Sequence, residues 1–104
     1  MPLTPESIKR LIESKHYRFS QHAEVEREAD QITIAEFEEA FLRKDVEILE
    51  TRPNDPRGYN CLALGWTKNN KPIHAVLGQK SDILVVVTVY RPDPELWIDF
   101  RERR

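Results

Sequence analysis

Cysteine is nearly absent from this chain: Cys61 is the only one in 104 residues. An internal disulfide is therefore excluded, as are zinc sites of the CxxC kind, and a reducing compartment fits. Long apolar runs are missing as well. Nothing approaches the roughly 20 residues that span a bilayer. The first stretch, MPLTPESIKRLIE, has no apolar core of the signal-peptide kind, so no membrane segment and no leader are expected, and the protein is expected in the cytoplasm. The sequence shows no HExxH spacing, no phosphate-binding glycine loop and no nucleophile elbow. A metal site from His22, His74 and a carboxylate has no recognised spacing behind it, so neither metal nor cofactor is expected.

What is present fits one globular domain. Hydrophobic residues make up 39% and charged residues 33%, too apolar a mixture for a disordered chain. The net charge of −2 is unevenly spread. Residues 1–50 carry 7 Lys/Arg against 12 Asp/Glu, or −5, and residues 51–104 carry 9 against 6, or +3. Any nucleic-acid face therefore belongs to the C-terminal half. The simpler reading is that helices here carry glutamate and strand ends carry arginine.

The elements divide the same way, into a helical part at about 4–44, a sheet part at about 46–91 and a tail at 92–104. Thr4-Pro5 starts a first helix, with Ile8, Leu11 and Ile12 at helical spacing, ending near His16. Ser20 caps a second helix of thin apolar content. Thr33-x-x-Glu36 is a capping box, followed by the stripe Phe37, Ala40, Phe41. Strands are then expected at Val46–Thr51, Tyr59–Thr67 and on both sides of the QKSD turn, the last running from Ile83 to about Tyr90. The fold class is thus α+β: N-terminal helices on one face of a four-stranded antiparallel meander.

Register follows from the turns. A two-residue turn at Asn69-Asn70 pairs Trp66 with Ile73, Leu64 with Ala75 and Leu62 with Leu77, an all-apolar core face. The opposite face then pairs Gly65 with His74, Ala63 with Val76 and Cys61 with Gly78. A three-residue turn at QKSD puts Ile83, Val85, Val87 and Val89 in the core, and Leu84, Val86, Thr88 and Tyr90 on the face of His74.

His74 is the leading candidate for proton transfer, because its ordinary pKa of roughly 6.5 suits chemistry near neutral pH. It reads equally as a half-buried strand histidine with one hydrogen bond. Tyr90 and Arg91 are expected beside it, Arg91 as a clamp for a phosphate or only as a solvated strand end. Thr88 and Tyr59 are expected to bind substrate, though both are ordinary strand formers. His22 and Glu26 lie four apart on one helix face, as a base and its orienting carboxylate or as surface decoration.

The ordered pieces SQHAEVEREADQIT, EILET, CLALGWT, PIHAVLG and DILVVVTVYRPD resemble the domain-of-unknown-function family 4258, over about Tyr17 to Trp97. The resemblance implies a fold like the RelE-type toxins and barnase-like ribonucleases. It also implies metal-independent RNA cleavage by a toxin–antitoxin type endoribonuclease. His74 would then be base or acid, Tyr90 and Arg91 would line the cleft with Arg91 stabilising the phosphorane, and His22 would face the sheet site. The implied partners are RNA and an antitoxin protein from a neighbouring gene, laid as an acidic segment over the basic sheet face. The alternative is a non-catalytic interaction module of the same fold. The chain departs from many relatives at Glu26 and Asp30, where those carry arginine.

Overall fold

The computed structural model describes residues 2–104. In chain order the elements are helix α1 (Pro5–Glu13), strand β1 (Tyr17–Phe19), helices α2 (Gln21–Ala29) and α3 (Ile34–Phe41), and strands β2 (Glu47–Arg52), β3 (Asn60–Trp66), β4 (Pro72–Lys80) and β5 (Ile83–Tyr90). A small hairpin of β6 (Trp97–Ile98) and β7 (Glu102–Arg103) closes the chain.

Each helix starts where its cap residue places it. The side chains of Thr4, Ser20 and Thr33 accept from the backbone N–H three residues on, and both threonines complete capping boxes. The expected stripes are buried: Ile8, Leu11 and Ile12 on α1, and Phe37, Ala40 and Phe41 on α3. On α2 only Ala23 is buried.

The sheet has five strands in the order β1-β5-β4-β3-β2, not four. Strands β2 to β5 form the expected antiparallel meander, but β1 joins β5 in parallel, so the sheet is mixed. The first helix ends at Glu13 rather than near His16, because the chain turns through Lys15 at φ 62° to deliver Tyr17 to the sheet edge. The tail is a hairpin docked on the sheet.

The β3–β4 register differs by one residue from that expected. Leu64 faces His74, Gly65 faces Ile73 and Ala63 faces Ala75. The loop has three residues, Lys68 to Asn70, with Asn70 in the left-handed region at φ 61° and Thr67 N–H bonded to Lys71 O at 3.0 Å. A shift of one residue reverses every side chain of β3, while those of β4 keep their expected faces. Cys61, Ala63, Gly65, Ile73, Ala75 and Leu77 face the helices, while Leu62, Leu64 and His74 share the other face.

A second pair of differences cancels. The β4–β5 turn has two residues, since Lys80 faces Ile83, and a bulge follows where the register shifts between Val76 and Leu77. The extra residue is Val87, whose carbonyl accepts from the Ser20 hydroxyl at 2.9 Å. Leu84, Val86 and Val89 therefore enter the helix-side core, whereas Ile83, Val85 and Val87 do not. Thr88 and Tyr90 still end on the face of His74.

The small residues on the helix side let α3 approach. A Cβ on Gly65 would lie 2.7 Å from the Ala40 carbonyl oxygen, a backbone atom that moves only with the helix. Gly65→Ala is expected to destabilise the protein by about 1–3 kcal/mol, as overpacked cores do. Urea unfolding measures this, and a midpoint equal to wild type would contradict the close approach.

Candidate functional site

Strand pairing places three rows of side chains across the face away from the helices. The first row is Arg18, Val85, Gly78, Asn60 and Arg52, one from each of the five strands. The second is Thr88, Val76, Leu62 and Glu50. The third is Tyr90, His74, Leu64 and Glu47.

The first row and part of the second floor an open cleft of about 520 Å³. Gly78 supplies no side chain there, which deepens the floor. Arg18, Arg52, Arg57 and Lys80 are its cations, and Asp55 is the only carboxylate among its lining residues. Arg57 hydrogen-bonds Asp55 through side chain and backbone and holds its carboxyl at about 2, so it is ionised at neutral pH. Arg52 reaches Asn60 Oδ1 at 3.0 Å and Glu50 at 3.2 Å. Among the described residues, Arg18 and Lys80 have no hydrogen-bonding or ionic side-chain partner. Clustered cations with free donors are suited to a ligand carrying several negative charges.

The third row is covered at His74 and Leu64, while Tyr90 and Glu47 at its ends stay partly exposed. The β6–β7 hairpin lays Trp97 against the His74 ring at a centroid distance of 4.5 Å, edge to face. His74 is fully buried. Its Nε2–H donates to the Phe100 carbonyl at 2.7 Å, which leaves Nδ1 to accept from the Tyr90 hydroxyl at 3.1 Å. Burial lowers the imidazole pKa from its ordinary value, against the hydrogen bond to Phe100, so the ring is neutral at pH 7. Burial likewise raises the Tyr90 phenol. Two ion pairs fasten the hairpin, Arg101 to Glu47 at 2.7 Å and Arg103 to Glu50 at 2.9 Å.

The expected site residues therefore separate into three places. His74 and Tyr90 are in contact under the hairpin. Thr88 lines the open cleft, whereas Tyr59, expected to bind substrate, borders it with its backbone and packs its ring against the helix-side core beside Leu3 and Cys61. Arg91 and His22 lie elsewhere. The Arg91 guanidinium donates to the carbonyls of Asp30 and Gln31 and to both carboxylate oxygens of Glu36, at 2.9–3.1 Å. It thereby ties the end of β5 to the capping box of α3. His22 is exposed on α2, with Nε2 3.3 Å from Glu26.

Glu26 and Asp30 have a structural task. Past the short β1, the N–H groups of Val89 and Arg91 on the β5 edge have no strand to bond. Glu26 Oε1 accepts from the first at 3.2 Å and Asp30 Oδ2 from the second at 2.8 Å. These carboxylates finish the sheet edge that β1 leaves open.

The cleft cations Arg18, Arg52, Arg57 and Lys80 were not picked out by motif. The positive balance of residues 51–104 pointed to three of them as a group. Arg18 sits in a three-residue strand too short to show periodicity.

Among the described residues no group of His, Cys, Asp and Glu side chains is placed to hold a metal ion, and no helix is long and apolar enough to cross a membrane. A family model described as a domain of unknown function, DUF4258, matches residues 19–91. No curated protein and no solved structure matches the chain.

Proposed function

Because that match spans well over half its length, the chain belongs to the DUF4258 family, and from that premise we propose that it is a RelE-toxin-like RNA-binding domain of the metal-independent endoribonuclease type. RNA phosphates sit in the basic cleft on the open sheet face. The observation that carries this reading is the row from Arg18 to Arg52 across all five strands, joined by Arg57 and Lys80 around one concavity. A RelE-like fold is supported by the helices on one face, the β2–β5 meander and a second face left for substrate. Thr88 and Asn60 add neutral hydrogen-bonding groups. A toxin of this type works in the cytoplasm, where the free thiol of Cys61 is at home. Its silencing partner, an antitoxin from a neighbouring gene, would lay an acidic segment in the same cleft.

One observation favours the second reading, a non-catalytic binding module: His74 is sealed beneath the hairpin, away from the cleft.

Fluorescence anisotropy with a labelled single-stranded RNA tests the cleft. Affinity should fall as salt rises, with a log–log slope of about −0.7 per phosphate neutralised. Gly78 allows a separate steric test. An added Cβ there meets nothing nearer than 3.5 Å, so alanine fits and a leucine side chain would fill the floor. Gly78→Leu should weaken RNA binding by about tenfold, near 1.4 kcal/mol, with Gly78→Ala close to wild type and both variants melting as folded proteins. Equal affinity for all three would place the RNA elsewhere.

A further inference from the structure

The β6–β7 hairpin is a separate small piece resting on the sheet. Its strands have two residues each, too few to stand without docking. Its turn holds Asp99 and Phe100 at φ 52° and 61°, closed by Arg101 N–H to Ile98 O at 2.9 Å. Such a turn is normally built from Asn-Gly, and a phenylalanine in the left-handed region is disfavoured. This conformation aims the Phe100 carbonyl at His74 Nε2. The remaining fastenings are the Trp97 ring, an edge-to-face contact of Phe100 with Trp66 at 5.9 Å, and two partly exposed ion pairs, the ion pairs being individually weak. Beneath lies a hydrogen-bonded His–Tyr pair, one row beyond Thr88 of the cleft.

We propose that the C-terminal hairpin is a built-in plug: docked, it seals His74 from the basic cleft beside a partly exposed Tyr90, and lifted, it joins the two to that cleft as the acid–base pair that cleaves bound RNA. The inference rests on the cleft's being the RNA site. Once Phe100 withdraws, Nε2 is free to accept while Nδ1–H donates to the Tyr90 oxygen. Nε2 takes the proton of a ribose 2′-hydroxyl as its oxygen bonds to phosphorus and the P–O5′ bond breaks. Tyr90 gives its proton to the departing 5′-oxygen and recovers one from the imidazolium across their hydrogen bond. The products are a 2′,3′-cyclic phosphate and a 5′-hydroxyl, with every proton accounted for.

The test uses the full chain with a single-stranded RNA oligonucleotide in EDTA, measuring cleavage and binding in parallel. Trp97→Ala lifts the plug from one side. Glu47→Gln with Arg101→Gln loosens it through exposed groups and carries the test if the first variant does not fold. The opened proteins should cleave at least about tenfold faster than wild type, leaving cyclic-phosphate ends. Adding His74→Ala should remove that gain, as a general base contributes roughly 10²–10⁴ in rate. Opened variants that bind RNA as wild type does but cleave no faster overturn the plug and leave the cleft standing. A gain that survives His74→Ala overturns it too, by moving the chemistry elsewhere. No RNA binding by wild type or variants overturns the cleft, and the plug with it.

Discussion

Reversing the charge of Arg18 and Lys80 together should lower the affinity for single-stranded RNA by about two orders of magnitude, near 3 kcal/mol at 1.4 kcal/mol per decade. Both residues line the cleft, Arg18 from the edge strand β1 and Lys80 from the end of the central strand β4, and both are exposed. Neither has an internal ion pair to lose, so Arg18→Glu with Lys80→Glu changes the field without uncoupling a folded contact. Each substitution turns an attraction into a repulsion. Opposite unit charges 4 Å apart interact by about 1 kcal/mol in water and about 4 kcal/mol near a protein surface, so two reversals suffice for the expected loss. The salt slope should become shallower by about 1.4, because two phosphates are no longer neutralised. Anisotropy titrations at several salt concentrations measure both quantities. Wild-type affinity with an unchanged slope would remove RNA from this cleft. Equal losses for duplex DNA and heparin would show a site selective for negative charge alone.

The largest loss of stability is expected from Phe37→Ala. Phe37 is fully buried. Its ring centre lies 5.7 Å from that of Tyr17 and 5.0 Å from those of Phe19 and Phe41. It therefore joins α3 to β1, the strand the rest of the sheet recruits in parallel. Truncating a buried phenylalanine costs about 3–5 kcal/mol, through lost transfer energy and the cavity left behind. Against a typical domain stability of about 5–15 kcal/mol this brings the protein close to its unfolding threshold. The melting temperature should fall by about 12–40 °C on the usual scaling for a domain of this size. A fall of only a few degrees would mean that the aromatic cluster repacks and that β1 is held by its backbone bonds alone. Arg18 lies between Tyr17 and Phe19, so a weakened β1 should weaken the cleft as well.

The sequence alone determined the local decisions. Thr4, Ser20 and the Thr33–Glu36 box fixed where the helices begin, because a cap needs only residues three or four apart. The stripes Ile8-Leu11-Ile12 and Phe37-Ala40-Phe41 named the helix faces for the same reason. The meander of β2 to β5 was also legible, whereas His74, Thr88 and Tyr90 share a face only because the bulge at Val87 offsets a turn one residue shorter than expected. Tertiary structure decided what spacing cannot encode. Strands β3 and β4 carry apolar or small residues on both faces, since helices cover one and the hairpin part of the other, so alternation could not choose the register. Gly65 and Ala63 look like an open surface in the sequence, yet they are small because α3 comes within contact of the backbone. The bulge at Val87 is secured by a hydroxyl 67 residues away in sequence. The parallel β1 is three residues long, below any periodic signal. The cleft exists only because Arg18, Gly78 and Arg52, from distant parts of the chain, are brought into one row by strand pairing. That row depends on long-range register, which is settled by packing the whole sheet rather than by any one segment.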